Sequence, residues 1–217
     1  MNIIVKPYGS TLCSCRPDTT WERENKDFYS PECVNEVMWT PVVFARVSKA
    51  GKCIGNKFVG RYYDGVGCGI LMYCATDEAV TSCADHTSIL PMPLYNPEVL
   101  DGRKEFVVTK NGNLSAARSI AAVLQAGKTG LVSSTGQNDL VMSAGQNDLV
   151  MSTEQGEWRH LLEDAICNAS LLTSLRIGDF VAVELTPLQS LAAREESEVS
   201  VKGVFCDNDI FDFKIIF

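Results

Sequence analysis

Pro41-Val42-Val43-Phe44-Ala45-Arg46-Val47 is the stretch on which the fold turns. It is rich in β-branched and aromatic residues, and such side chains favour a pleated, half-buried surface. Pro41 belongs at the start of this strand, where a missing N–H does least damage to a ladder. Downstream, Gly65, Gly67 and Gly69 alternate within a mixed segment. That spacing points to close approach of backbone on one side, and it lacks the placement of a dinucleotide-binding fingerprint. Upstream, Asn2–Lys6 is a short β-prone run stopped by Pro7, and Arg16–Lys26 reads as polar loop.

Further strands are expected at Glu105–Thr109, Phe180–Leu185, Val199–Phe205 and Ile210–Phe217. Lys110-Asn111-Gly112-Asn113 supplies a tight turn after the first, since Asn-Gly suits positive φ. Asp207-Asn208-Asp209 supplies the turn before the last, and Asp77–Leu94, with Pro91 and Pro93, reads as an irregular connection. Helical periodicity is clearest where Trp158, Leu161, Leu162, Ala165, Ile166 and Ala169 form one apolar stripe, opened by Ser152 or Thr153 as a cap. Trp158→Ala is expected to cost roughly 3–5 kcal/mol if the ring is buried. A shorter helix is expected over Ser115–Gln125. The nine residues from Ser134 to Met142 recur from Ser143 to Met151, each copy reading as a turn followed by a Leu-Val-Met strand. Two short copies do not make a solenoid. A duplicated insertion, 134–151, within a single domain spanning 1–217 accounts for them.

The bulk properties narrow the function. A chain of 217 residues, 46% hydrophobic and 21% charged, has enough apolar material for a sizeable core. A net charge of -8 without a Lys/Arg stripe argues against nucleic acid. No apolar run reaches membrane-spanning length, so no membrane partner and a cytoplasmic location are expected. The nine scattered cysteines form no disulfide framework, and with only His86 and His160 available they form no zinc motif.

Glu36–Phe44 with Arg46–Ile54, Arg61–Asp64 with Val66 and Gly69-Ile70, Lys110-Asn111-Gly112, Ser174–Asp179 and Ile210–Lys214, taken in order, together resemble the fumarylacetoacetate hydrolase family. Glu36–Phe44 with Arg46–Ile54 is similar to its Glu-x-Glu strand, and Arg61–Asp64 with Val66 and Gly69-Ile70 to the run before its metal-binding aspartate. Lys110-Asn111-Gly112, Ser174–Asp179 and Ile210–Lys214 resemble its Asn-Gly hairpin, its Thr-Leu-x-x-Gly-Asp element and its closing strand. The resemblance implies a mixed, β-rich α+β fold with a sandwich- or barrel-like core and few helices. It also implies a homodimer, a small organic acid as ligand, and Mg²⁺ or Mn²⁺ held by two glutamates and an aspartate. Carboxylates at i and i+2 of a strand share one side and can grip one hard cation.

Carried over position by position, those ligands fall on Thr40, Val42 and Leu71, and the family's lysine falls near Ser82. The family's Gly-Thr-Pro loop reads Glu184-Leu185-Thr186-Pro187. Valine and leucine offer no oxygen, so the resemblance implies a chain without the metal cofactor: a non-catalytic binding or structural protein, with the former site filled as core. Trp39, Met72 and Tyr73 are then packing residues. The alternative is a divergent metal-dependent hydrolase or decarboxylase of acylpyruvate-like dicarbonyl compounds, its site rebuilt from elsewhere. Asp85 and His86 are its foremost candidates, followed by His160 near Glu163 and by Asp139 with Asp148; Glu36, Asp64 and Asp77 are further acids within reach of such a rebuilding. A third possibility is assembly through the duplicated insertion, by strand pairing on its apolar edges.

Overall fold

A computed structural model describes residues 1–101, 105–112, 149–152 and 157–217, the side chains of 149–152 excepted. Fourteen strands and one α-helix are described. In chain order they are β1 (Ile3–Lys6), β2 (Ser14–Arg16), β3 (Trp21–Glu22), β4 (Phe28–Tyr29), β5 (Glu36–Val47), β6 (Tyr63–Ala75), β7 (Val80–Thr81) and β8 (Ser88–Ile89). They continue with β9 (Glu105–Lys110), β10 (Leu149–Ser152), α1 (Glu157–Leu172), β11 (Phe180–Glu184), β12 (Gln189–Ala193), β13 (Glu198–Phe205) and β14 (Asn208–Ile216). The result is the mixed, β-rich α+β fold expected from the sequence.

The larger sheet runs β2-β1-β11-β5-β6-β8-β3, with β12 also on β5 and β7 also on β6. Its two ends meet. The Arg16 guanidinium on β2 donates to the Ser88 hydroxyl on β8 (3.2 Å) and to the Met72 carbonyl on β6 (3.0 Å). A flat sheet would hold these strands several strand spacings apart, so the sheet is curled into a half-barrel. Alternation then assigns two faces. Ile3, Val5, Val42, Phe44, Phe180 and Ala182 point into the curl and pack with Leu71 and Leu90. Ile4, Val43, Ala45, Val181 and Val183 point outward into a larger core shared with α1 and the second sheet.

That second sheet runs β10-β9-β13-β14-β4. Its Phe106, Phe205, Phe211 and Phe213 form an aromatic layer. Trp158 of α1 is 1% exposed and lies 6.3 Å from Phe205, which ties helix to sheet. The helical stripe read from the sequence is buried at Trp158, Leu162, Ala165, Ile166 and Ala169, while Leu161 is half-buried.

Several elements depart from expectation. Pro41 stands in the middle of β5, not at its start. Its carbonyl accepts from Leu185 N (2.9 Å), so its nitrogen also faces the β11 side. There it meets the seam between the Val42↔Glu184 pair of β11 and the Trp39↔Gln189 pair of β12, where the ladder has no acceptor to waste. Arg16–Lys26 is not wholly loop: it holds the end of β2, a 3-10 turn and β3. Short strands β7 and β8 interrupt Asp77–Leu94, and β12 has no counterpart in the sequence reading. The turn before β14 sits on Cys206 and Asp207, both at positive φ, one residue earlier than expected. Ser152 belongs to β10, which is the second copy's Leu-Val-Met strand paired with β9. The Ser115–Gln125 helix and the remainder of the repeat lie outside the described residues.

The alternating glycines of β6 do permit close approach. A Cβ on Gly69 would stand 2.2 Å from the Ile89 carbonyl oxygen, and one on Gly67 would stand 2.7 Å from the Phe44 ring. Among the described residues, no helix is long and apolar enough to cross a membrane.

Candidate functional site

The concave side of the half-barrel is built from neighbouring strands. On β5, Thr40 and Val42 share a side, and Thr40 is paired with Leu71 of β6. All three are 0% exposed. Val42 and Leu71 belong to the apolar cluster inside the curl. The Thr40 hydroxyl donates to the Thr186 carbonyl oxygen at 2.8 Å, which leaves no anionic oxygen at this position. Trp21 roofs the cluster: its ring meets Phe180 edge-on at 5.0 Å and its indole N–H donates to the Leu90 carbonyl at 3.0 Å.

One carboxylate does enter this face. Glu184 lies across from Val42 in the β11–β5 ladder. Its Oε1 accepts from the Tyr73 hydroxyl, and its Oε2 accepts from the Tyr8 backbone N–H at 2.9 Å. Tyr73 stands two residues beyond Leu71, and the Arg16 guanidinium stacks on its ring at 4.2 Å. Burial pushes the Tyr73 phenol up to about 12; the Arg16 charge opposes this and the Glu184 hydrogen bond adds to it. Arg16 is itself buried, with Nε lacking a hydrogen-bond partner. The carboxylate is therefore occupied by two neutral donors, near a fixed positive charge.

A hard divalent ion does not fit that donor set. It requires several negative or carbonyl oxygens converging on one point, and the side chains at Thr40, Val42 and Leu71 present a donating hydroxyl and hydrocarbon. Among the described residues no group of three or more His, Cys, Asp or Glu is placed to hold a metal. Of the acids considered as replacements, Glu36 opens β5 opposite Ala75 of β6, and Asp64, Asp77 and Glu163 are engaged elsewhere. Asp64 takes Arg46 at 3.1 Å, and Asp77 takes the Asn35 amide at 2.6 Å. Glu163 accepts from Tyr63 at 2.8 Å and pairs with Arg159 at 3.6 Å, while His160 is exposed on the helix. Asp139 and Asp148 lie outside the described residues.

The two foremost alternatives, Asp85 and His86, sit together on a surface groove whose lining shares no residue with the concave cluster. His86 does not bond to its neighbour Asp85. Its Nδ1 lies 2.7 Å from Oε2 of Glu22, a residue that the sequence reading left in a loop. Glu184, Tyr73 and Tyr8 were likewise not read as one unit. A signal for Glu184 existed: it is a charged residue closing the otherwise apolar run Phe180–Val183.

Solved structures share this architecture. A proposed fumarylacetoacetate hydrolase family protein from Yersinia pestis CO92 superposes with a TM-score of 0.64 at 12% identity, covering 99% of this chain and 92% of that one. The fold is that of the fumarylacetoacetate hydrolase family. Maleylpyruvate hydrolase from Sphingobium sp. SYK-6 matches with a TM-score of 0.63 at 12% identity, over 98% of this chain and 69% of its own. Fumarylpyruvate hydrolase from Pseudomonas aeruginosa, solved with Mn²⁺ and pyruvate, matches at 0.64 and 10% identity, over 100% and 90%. No sequence family model matches the chain, and no curated protein matches it by sequence. The fumarylacetoacetate-hydrolase-like likeness is therefore one of backbone architecture.

Proposed function

We propose that the concave face of this chain is non-catalytic, and that the protein serves through its fumarylacetoacetate-hydrolase-like fold as a small-ligand binding or structural protein without the family's metal chemistry. The observation that carries the proposal is the closure of the concave face: Val42 and Leu71 are wholly buried in an apolar cluster, and Thr40 donates its hydroxyl to a carbonyl. Opening that face to a dicarbonyl substrate would expose the cluster to water. It would also strip Glu184 of the Tyr73 and Tyr8 donors that satisfy it.

The homodimer implied by the resemblance, and the cytoplasmic location expected because no apolar run reaches spanning length, belong to the same proposal. Isothermal titration of the purified chain with Mg²⁺ and Mn²⁺ tests its centre. Heat changes no larger than the dilution blank are expected, together with no turnover of acylpyruvates; stoichiometric binding in the low micromolar range would overturn the reading. Sedimentation equilibrium tests the assembly, with twice the 23.7 kDa chain mass expected.

A further inference from the structure

Away from the concave face, a groove of about 610 Å³ opens between the β3–β4 segment and the turn before β8, with Phe28, Tyr29, Pro31 and Ala84 as its apolar wall. His86 lines it with a side chain 55% exposed, while its partner Glu22 is 4% exposed. The parallel pairing of β3 with β8, Glu22 against Ile89, sets the glutamate under the turn that carries the histidine. The Glu22 carboxylate takes the Glu24 N–H on Oε1 (2.6 Å) and His86 Nδ1 on Oε2 (2.7 Å). An ionised carboxylate only accepts, so Nδ1 carries the proton and the neutral ring keeps its lone pair on Nε2. A buried acid orienting an accessible imidazole in a groove of ligand size is the arrangement of a general base. His86 holds φ at +58°, a conformation that only a surrounding constraint maintains.

We propose that Glu22 and His86 make this groove a second site, one that hydrolyses small uncharged acyl esters. Nε2 takes a proton from water as the water oxygen bonds to the ester carbonyl carbon. The tetrahedral oxyanion then collapses and breaks the bond to the alkoxide, which recovers the proton from Nε2. Ester and water become acid and alcohol, and no co-reactant is consumed. The acyl group rests on the wall of Phe28 and Tyr29. Asp27 and Asp85 on the groove disfavour anionic esters, and Lys26, which also lines it, is held by Glu24 at 2.6 Å.

The test is hydrolysis of 4-nitrophenyl acetate by the full chain in excess EDTA. Metal chemistry on the concave face is thereby silenced, and failure here is separable from failure of the function proposed above. Saturable hydrolysis is expected, reduced about 100-fold or more in His86→Asn. Asparagine tolerates the positive φ, so this variant removes the base without adding backbone strain. Glu22→Gln should lower kcat and shift the pH profile, and 4-nitrophenyl hemisuccinate should react more slowly than the acetate. His160→Gln, the other histidine variant, should match the wild type. Non-saturable hydrolysis, an unchanged rate in His86→Asn, or an equal loss in His160→Gln would overturn the proposal. Should Glu22→Gln fail to fold, His86→Asn, at an exposed side chain, still decides.

Discussion

Val42→Glu places a carboxylate where the fold family's hydrolases are expected to have one, and its consequence follows from the surroundings. The side chain would enter a cluster with Phe44, Phe180 and Ala182 at a position 0% exposed, opposite Glu184. Burial and a second carboxylate both favour the protonated form, so its folded pKa rises well above the unfolded value of about 4.3. A carboxyl with a raised folded pKa destabilises progressively as pH climbs from the unfolded value to the folded one. Val42→Gln has similar bulk and polarity without the charge, so the difference between the two variants isolates ionisation. At about pH 4 they should be equally stable. The gap should then widen by about 1.4 kcal/mol per pH unit, reaching roughly 4 kcal/mol at pH 7 if the folded pKa exceeds 7. Against a total stability of about 5–15 kcal/mol that is a large share. Urea denaturation at pH 4, 5.5 and 7, followed by tryptophan fluorescence, measures it. A gap below about 1 kcal/mol at pH 7 would refute the reasoning, because it would mean that water reaches position 42.

Gly69→Ala should cost about 3 kcal/mol or more in urea denaturation, since its Cβ would lie 2.2 Å from a backbone oxygen that cannot swing aside. Gly55→Ala, with nothing within 4 Å, should stay within about 0.5 kcal/mol of wild type. Tyr63 and Tyr73, both pushed up to about 12 chiefly by burial, should ionise last in an ultraviolet titration of the native chain. Their folded values exceed the unfolded value near 10, so their contribution to stability is complete below pH 10 and is lost as pH rises towards 12; Tyr73→Phe should flatten that alkaline loss.

Much of the fold was legible where local chemistry and tertiary demand agree. The β-branched run after Pro41, the alternating glycines and the Trp158 stripe each report a period or a steric need inside a few residues. What escaped depends on distant partners. Strands β3, β7 and β8 span two residues each, too short to display alternation, and exist because β8 and β6 offer them ladders. In the local pattern alone, Pro41 masks the first half of β5, which only the family resemblance of Glu36–Phe44 marks as strand; its tolerance rests on the gap between β11 and β12. At the candidate sites, the apolar character of positions 42 and 71 is written in the sequence. The Glu184–Tyr73 and His86–Glu22 bonds join residues 111 and 64 apart, and no local pattern announces such meetings.

The strand order has a temporal consequence during synthesis. β1 pairs with β11, Ile3 beside Phe180, and β4 pairs with β14, Phe28 beside Ile215. β1, whose other edge takes the neighbouring β2, and β4 thus wait for much later strands before these edges are covered. Long-separated pairings of this kind fold slowly and leave nascent edges open to wrong partners. This chain should therefore gain more than a locally paired β-meander from a chaperone that shields its first thirty or so residues.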